Sequence, residues 1–244
     1  MRRRHAVAGA LWIGAGVLLA ASLMSARAGA AVDPVSRGRA LYVQGCSSCH
    51  GLSAQGVPGR GPSLVGVGGA AADFEVSTGR MPLAAPRDEP ERSTPRYPRP
   101  EIDALVAYVG SLGGPGIPTV DPAKGNLAEG FRAFTLSCAG CHQSLARGGT
   151  VIGAVAPSLT HATPTQIAEA VRIGPYLMPP FSTHAIDAQT LNSIVRYVQW
   201  AKHPANEGGF GLGNIGPIPE GLVAWLVAGA GLLLIARLIG ERAR

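Results

Sequence analysis

The chain has 244 residues, enough for one medium-sized domain or two small ones, and its 34 glycines, 20 prolines and only 15% charged residues argue against extensive regular sheet. Its formal net charge is +6, but seven of the 21 basic residues lie near the two ends, while residues 33–216 hold 14 basic and 13 acidic side chains. The basic excess therefore follows membrane topology, and nucleic acid is excluded as a partner.

The N-terminal segment, residues 1–31, is predicted to be either a secretory signal peptide or an uncleaved membrane anchor. Three arginines at residues 2–4 precede an uncharged run over residues 6–26. The run is close to the roughly 20 residues that span a bilayer, and the small residues at 26 and 28 offer a cleavage site. Both alternatives place the residues that follow outside the cytoplasm.

The body of the chain contains an internal repeat. A Cys-x-x-Cys-His motif at residues 46–50 recurs 92 residues later, at residues 138–142. The repeat predicts two similar domains, at residues 33–114 and 117–205. The other landmarks that recur in the same order are Gly38 with Gly130, Tyr42 with Phe134, Gly61-Pro62-Ser63-Leu64 with Ala156-Pro157-Ser158-Leu159, Met81-Pro82 with Met178-Pro179, and the apolar set Ile102, Leu105, Val106 and Val109 with Leu191, Ile194, Val195 and Val198.

Each repeat is predicted to be helical. A short helix precedes the cysteine motif, a long loop rich in glycine and proline carries the methionine, and a second helix closes the unit. Apolar residues at i, i+3, i+4 and i+7 predict the closing helices, and Asp187 is expected to cap the second of them. The first repeat has a proline-rich insert between Pro82 and Pro100, which is either a stiff surface excursion or a docking strap. Residues 113–116 are predicted to form an interdomain hinge.

The two Cys-x-x-Cys-His motifs contain all four cysteines and predict two covalently bound haem c groups. Residues three apart share a helix face, so two thiols can bond both vinyl groups of one haem while the adjacent histidine binds the iron. A redox dithiol and a zinc site are the alternatives. A dithiol needs no following histidine, and one zinc site using all four cysteines leaves the histidines and methionines without a role. The predicted attachment residues are Cys46, Cys49 and His50, and Cys138, Cys141 and His142.

Met81 and Met178 are the predicted sixth ligands of the two irons. They are the only methionines outside the N-terminal segment, each follows its cysteine motif, and each precedes a proline that stiffens the loop. The alternative is that they fill the core. Ligation by histidine and methionine raises the reduction potential and leaves no open position for oxygen or a substrate. The histidines that could compete for the second iron are His161, His184 and His203.

The C-terminal segment is predicted to cross a membrane. Residues 221–236 carry no charge, and the side chain of Arg237 can reach the interface, so the predicted helix covers residues 218–240. Arginines at both ends of the chain predict that both ends are cytoplasmic. Residues 206–217 are expected to form a stalk and residues 241–244 a cytoplasmic tail. A buried core helix is the alternative.

These features resemble a known family. Each repeat resembles the class I cytochrome c fold, and the whole chain resembles the dihaem cytochrome c subunit (cytochrome cc) of the actinobacterial cytochrome bc complex. The resemblance implies an all-α fold, in which two tandem class I cytochrome c domains lie between an N-terminal apolar segment and a C-terminal transmembrane helix. Besides the two motifs and the apolar termini, it rests on Gly79-Arg80-Met81-Pro82, on Glu101-Ile102-Asp103-Ala104-Leu105 and on Gly174-Pro175-Tyr176-Leu177-Met178-Pro179-Pro180.

The resemblance also implies a function. The chain would be the electron-transfer subunit of a quinol–cytochrome c reductase, with its haem domains on the extracytoplasmic face of the plasma membrane. One haem would take electrons from the Rieske iron–sulfur protein that accompanies cytochrome b, and the other would deliver them to a haem-copper cytochrome oxidase. The motifs match one for one, so the residues expected to bind haem are Cys46, Cys49, His50 and Met81, and Cys138, Cys141, His142 and Met178.

Three rival functions remain open. The chain could be the dihaem electron acceptor subunit of a periplasmic dehydrogenase, or a dihaem cytochrome associated with an oxidase. A haem-based sensor is the third, but a sensor needs an exchangeable axial position and usually a signalling domain, and the sequence shows neither. We find no Ser/His/Asp set and no phosphate-binding loop, so the chain alone is not expected to turn over a substrate.

Overall fold

The computed structural model describes residues 33–86, 90–204 and 217–242. The predicted signal peptide or anchor, nearly all of the predicted stalk and the last two residues of the predicted tail lie outside the described residues. The described chain forms two compact units that divide after Gln199. Both repeats belong to the first unit, and the C-terminal helix belongs to the second.

The first repeat consists of four helices. Helix α1 (Pro34–Gly45) leads through Cys46 into α2 (Ser47–His50), a single turn that carries the rest of the cysteine motif. Helices α3 (Gly68–Ser77) and α4 (Arg99–Ser111) complete the repeat. The closing helix includes Ile102 to Val109, where the apolar periodicity predicts a helix.

The second repeat has the same order of helices with two additions, a 3₁₀ turn and a hairpin. A short antiparallel hairpin lies between its cysteine motif and its third helix, with Thr150 opposite Val155. Apart from this hairpin, the regular structure of the described residues is helical, which confirms the predicted all-α class. The elements of this repeat are a 3₁₀ turn at Pro122–Lys124, α5 (Leu127–Ser137), α6 (Ala139–His142), β1 (Gly149–Val151), β2 (Ala154–Ala156), α7 (Pro164–Ile173) and α8 (Ala188–Ala201).

Each repeat contains a helix where the sequence predicts a loop. Helices α3 and α7 have ten residues each and lie between the cysteine motif and the methionine. Helix α7 begins with a capping box formed by Thr163 and Gln166, and Pro164 occupies its first turn. Helix α3 begins at Gly68 without a side-chain cap, so its start carries no such signal. The prediction of one uninterrupted loop in each repeat is therefore wrong.

The first and last helices of each repeat touch at a glycine. A Cβ on Gly38 would collide with the Ala104 carbonyl oxygen, and one on Gly130 would collide with that of Ser193. Both glycines therefore allow a backbone contact that any side chain would block. Val106 is half-buried. The other apolar residues predicted for the closing helices are all buried: Ile102, Leu105, Val109, Leu191, Ile194, Val195 and Val198.

Side chains cap the first turns of helices α8 and α5. The Asp187 carboxylate accepts the Thr190 N–H at 2.7 Å, which confirms the predicted cap of α8. Hydrogen bonding from Thr190 lowers the pKa of Asp187. The Asn126 side chain accepts the Glu129 N–H at 3.0 Å at the start of α5. Both caps satisfy backbone donors that a helix leaves free at its first turn.

The linker between the repeats packs against the first repeat. The Ala70 N–H donates to the Pro115 carbonyl at 3.2 Å, and the Gly66 N–H donates to the Leu112 carbonyl at 3.1 Å. Gly114 has a φ of +99°, and a Cβ there would collide with the Gly66 carbonyl oxygen. The segment predicted to be a hinge is therefore held in place by the start of α3.

The proline-rich insert of the first repeat bridges the two repeats. Arg92 donates to the His161 carbonyl and to the Gln166 side chain, both at 3.0 Å. On its own repeat, the Ser93 hydroxyl donates to the Gly79 carbonyl at 2.6 Å, close to the methionine. These contacts hold the insert, called the strap from here on, against the second repeat, and docking of the strap to another protein stays a prediction.

The C-terminal unit contains helix α9 (Pro217–Arg242). Among the described residues, its stretch from Glu220 to Arg242 is the one helical segment long and apolar enough to cross a bilayer, and none of that span is buried in protein. Arg237 pairs with Glu241 near its end, with 2.9 Å between the Nε and Oε1 atoms. The predicted C-terminal apolar helix is confirmed, and the alternative of a buried core helix is wrong.

Candidate haem-binding sites

The two cysteine motifs have the same local geometry. The first cysteine of each lies between a long helix and the one-turn helix that carries the second cysteine and the histidine. The His50 N–H donates to the Cys46 carbonyl at 3.0 Å, and the His142 N–H donates to the Cys138 carbonyl at 2.9 Å. One helical turn brings residues three and four apart to one face, so each motif presents two thiols and an imidazole together.

A proline carbonyl orients the histidine of each motif. Nδ1 of His50 lies 2.8 Å from the Pro62 carbonyl oxygen, and Nδ1 of His142 lies 3.0 Å from that of Pro157. A carbonyl only accepts, so we assign the hydrogen to Nδ1 and the free lone pair to Nε2. Burial lowers the pKa of His142, which favours its neutral form. A neutral imidazole with this tautomer is the form that binds a metal through Nε2.

These prolines have a role that the sequence shows only as a recurring landmark. Pro62 and Pro157 belong to the two matched Pro-Ser-Leu segments, and the structure places both beside a motif histidine. A Cβ on Gly61 would lie 3.2 Å from Cε1 of His50, so the loop passes directly against the ring. The sequence signals these prolines only by their recurrence after each motif. That recurrence does not show that their carbonyls contact the histidine rings.

The thiol of the first cysteine in each motif resists deprotonation. Burial, with a smaller contribution from Cys49, raises the pKa of Cys46 to about 11. Burial and the neighbouring Cys141 raise the pKa of Cys138 to about 11 in the same way. A reactive dithiol requires a lowered thiol pKa, and neither Cys46 nor Cys138 has one. These surroundings argue against the redox dithiol.

Met81 and Met178 lie half-buried in loops that hydrogen bonds hold. The N–H of Met81 donates to the Glu75 carbonyl, and that of Met178 donates to the Pro175 carbonyl, both at 3.0 Å. Arg172 fixes the chain just after the second methionine by donating to two successive carbonyls at 3.1 and 3.0 Å. Each loop therefore fixes the backbone of its methionine relative to its own repeat.

The histidines that could compete with Met178 are exposed. His161, His184 and His203 all have solvent-accessible side chains. The His161 carbonyl is the part of that residue that binds the strap, through Arg92. An exposed side chain is a poorer candidate than Met178 for a buried iron.

Each repeat has a buried guanidinium nitrogen without a hydrogen-bond partner among the described residues. These atoms are Nη1 of Arg80, beside Met81, and Nε of Arg147, in the loop after the second motif. Arg80 also lies over the Phe74 ring, 4.9 Å from its centroid. A buried guanidinium N–H without an acceptor is unfavourable, and a carboxylate would supply one. Haem carries two propionate carboxylates, so the residues present in each repeat fit that group.

A hydrogen bond between the repeats joins the second methionine loop to helix α3 of the first repeat. The Tyr176 hydroxyl donates to Oε2 of Glu75 at 3.1 Å. Glu75 accepts the Met81 N–H with its carbonyl, and Tyr176 lies two residues before Met178. Burial raises the pKa of Glu75, while the hydrogen bond from Tyr176 opposes that rise. The second methionine loop is therefore bonded to the residue that also holds the backbone of Met81.

Comparison with known protein families agrees with the repeat. Residues 35–113 match the family model of cytochrome c, and residues 125–198 match the family model of cytochrome c oxidase, cbb3-type, subunit III. Both repeats are therefore cytochrome c domains. Two such domains imply covalently bound haem c.

Individual relatives extend the similarity along the chain. A cytochrome bc1 complex cytochrome c subunit of Corynebacterium diphtheriae is 37% identical over 270 residues, covering 99% of this chain and 95% of that protein. The subunit of the same name from Mycobacterium tuberculosis is 39% identical over 215 residues, covering 84% of this chain and 77% of that protein. A cbb3-type cytochrome c oxidase subunit CcoP of Azospirillum sp. is 28% identical over 185 residues, covering 66% of this chain and 60% of that protein.

Proposed function

The chain belongs to the family of cytochrome bc1 complex cytochrome c subunits, and we propose that it relays electrons from a Rieske iron–sulfur protein to a haem-copper cytochrome oxidase through two haems in series. As a member of that family, it is an electron-transfer subunit of a quinol–cytochrome c oxidoreductase. The observation that carries the proposal is the packing of both cytochrome c domains into one compact unit. Electrons can then pass between the domains without either domain dissociating.

We infer that the repeated residues hold one haem c in each domain. Cys46 and Cys49 would form the thioether bonds of the first haem, and Nε2 of His50 and the sulfur of Met81 would be its axial ligands. When bound, each haem supplies a one-electron ferric/ferrous couple. The corresponding residues of the second domain are Cys138, Cys141, His142 and Met178.

The protein's own groups restrict each site to electron transfer. The carbonyls of Pro62 and Pro157 hold the imidazoles in one tautomer. Met81 and Met178 would also hold the irons, which would leave no position there for a substrate. Arg80 and Arg147 would pair with carboxylates and so remove two unsatisfied buried donors. This donor set favours a high potential and no ligand exchange.

We propose that the cytochrome c domains lie on the extracytoplasmic face of the plasma membrane and the C-terminus in the cytoplasm. The support is the distribution of arginines beside the apolar segments, including Arg242 and Arg244. A reporter that works only outside the cytoplasm is expected to be inactive when it is fused after Arg244 and active when it is inserted within residues 206–216. A cytoplasm-dependent reporter should give the reverse pattern, and exchanged results would contradict this orientation.

Purification of the tagged chain in mild detergent tests the proposed relay. The proteins that co-purify are expected to include a Rieske protein, cytochrome b and a haem-copper oxidase, identified by mass spectrometry against an unrelated tagged membrane protein as the control. Recovery of a periplasmic dehydrogenase would instead support the alternative acceptor function. Recovery of an oxidase without the Rieske protein and cytochrome b would indicate an oxidase-associated cytochrome. Either of these results would contradict the proposal.

A further inference from the structure

The two cytochrome c domains bury one acidic residue each where they pack together. Helices α3 and α7 occupy the same place in the two repeats, and they contact each other. Asp73 is the sixth residue of α3, and Glu169 is the sixth residue of α7. Asp73 is 3% exposed and Glu169 is 0% exposed. The packing thus buries two equivalent carboxyl groups at one contact between the domains.

One arginine forms an ion pair with the Asp73 carboxylate of this contact and with Asp103 of its own helix. Nη1 of Arg99 lies 2.7 Å from Oδ1 of Asp73, and Nη2 of the same side chain lies 2.7 Å from Oδ1 of Asp103. Arg99 is the first residue of α4, and the residue in that place on α8 is Ala188. The second domain therefore contributes a carboxyl group to the contact without contributing the corresponding cation.

Glu169 lacks the donors that a buried carboxylate needs. Neither of its carboxyl oxygens accepts a hydrogen bond from any residue in the described part of the chain. Burial raises the pKa of Glu169, the charge of Asp73 and hydrogen bonding to Asp73 raise it further, and Arg99 opposes the rise. A protonated Glu169 can instead donate to the Asp73 carboxylate, which satisfies both groups.

The other charged side chains on the packed elements have different contacts. Glu75 of α3 accepts from Tyr176, and Arg172 of α7 donates to the carbonyls that follow the methionine loop. On the strap and the methionine loop, Arg92 donates to Gln166, and Arg80 lies over the Phe74 ring. Among the described residues, Arg99 is the one cation that acts on Glu169.

We propose that Asp73, Arg99 and a protonated Glu169 are positioning residues that hold the two cytochrome c domains in the orientation through which electrons pass between them. The proposal rests on the proposed function, because the orientation matters only if the domains exchange electrons. When Glu169 is neutral, Asp73 is the one anion of this pair, and it faces the Arg99 guanidinium. With Glu169 ionised, two buried anions compete for a guanidinium that Asp103 already shares.

Docking of the domains therefore takes up a proton. Separation of the domains would expose Glu169 and return its pKa toward the ordinary value of 4.5, whereas docking raises it. The stabilisation from this contact is complete below the ordinary pKa and is lost as the pH rises through the raised one. Between those two values, the equilibrium constant for docking falls about tenfold per pH unit.

Hydrogen exchange on the haem-loaded, full-length chain in detergent tests this proposal. Protection of the α3 and α7 amides is measured by mass spectrometry from about pH 6 to about pH 9, after correction for intrinsic exchange. The wild-type chain is expected to lose protection by up to about tenfold per pH unit. Glu169→Gln retains the shape and a donor of the neutral acid, so its protection should not depend on pH. The matched control is Glu129→Gln on α5, which should retain the wild-type slope.

Each outcome of this experiment decides the proposal. Protection in the wild-type chain that does not depend on pH, or a wild-type slope in Glu169→Gln, would overturn it. If Glu169→Gln does not accumulate, Asp73→Asn removes the charge that adds to the effect of burial on the pKa of Glu169, so the loss of protection should be complete at a lower pH than in the wild-type chain. An unchanged end point would overturn the proposal. The measurement needs no partner protein, so this inference can fail while co-purification still supports the relay, and the reverse also holds.

Discussion

Substitution of Met81 by histidine is expected to abolish most quinol-driven oxygen consumption while haem content and membrane insertion stay near normal. Imidazole stabilises ferric iron better than a thioether does, so the potential of the first site falls although the iron keeps six ligands. Each lowering by about 59 mV shifts a one-electron equilibrium tenfold. In a relay in series, a site shifted in this way becomes a barrier or a trap for every electron.

Met178→His provides the matched variant, because it should act in the same way on the second site. Oxygen uptake by membranes supplied with quinol, together with potentiometric titration of the purified chain, measures both effects. His184→Gln, which changes an exposed histidine of the second domain, should retain wild-type activity. Substantial activity in both single methionine variants would indicate that the haems work in parallel and would contradict the relay in series.

Replacement of Gly130 by alanine is expected to destabilise the second domain by roughly 1–3 kcal/mol. Alanine is more favourable than glycine in a helix interior by about 1 kcal/mol, so helix propensity alone would predict that this substitution stabilises the domain. The cause of the expected destabilisation is the Ser193 carbonyl oxygen, which the new Cβ would strike. That atom belongs to the backbone of α8, so relief of the collision requires α5 and α8 to separate.

Thermal unfolding of the haem-loaded chain, followed by circular dichroism, measures this effect. Gly38→Ala makes the equivalent change in the first domain, against the Ala104 carbonyl. Gly116→Ala is the control, because a Cβ there meets nothing within 4 Å. A midpoint for Gly130→Ala equal to that of the control would show that the helices do not touch at this residue.

The repeat and the buried faces of the closing helices follow from the sequence, because period and landmark spacing are local properties. Helices α3 and α7 do not follow from the sequence in this way. The loop interpretation gives weight to the glycines and prolines that surround them and overlooks the capping box of Thr163 and Gln166 at the start of α7. Helix α3 has no comparable cap, and Pro115 of the linker packs against its start at Gly68. A contact from so far along the chain is invisible in a local pattern.

The candidate sites likewise combine residues that the sequence predicts with contacts that it does not predict. The spacing of the cysteines and histidines predicts the residues that would attach haem, because covalent attachment needs a fixed local motif. The methionines are predicted from their equivalent places in the two repeats. The burial of one guanidinium nitrogen in each of Arg80 and Arg147 depends on tertiary packing, and the contact between Asp73 and Glu169 joins residues of two different domains. The sequence shows an acid on each of these segments, but it does not show that the two helices face each other.

Near-infrared magnetic circular dichroism of the ferric wild-type chain tests most directly whether both haems have histidine and methionine as axial ligands. The technique separates this ligand pair from two histidines. A preparation that carries two haems per chain, counted by pyridine haemochrome, is predicted to show only the histidine–methionine signal. A bis-histidine signal from either haem would contradict the assignment of Met81 and Met178, and for the second haem it would make His161, His184 or His203 the ligand.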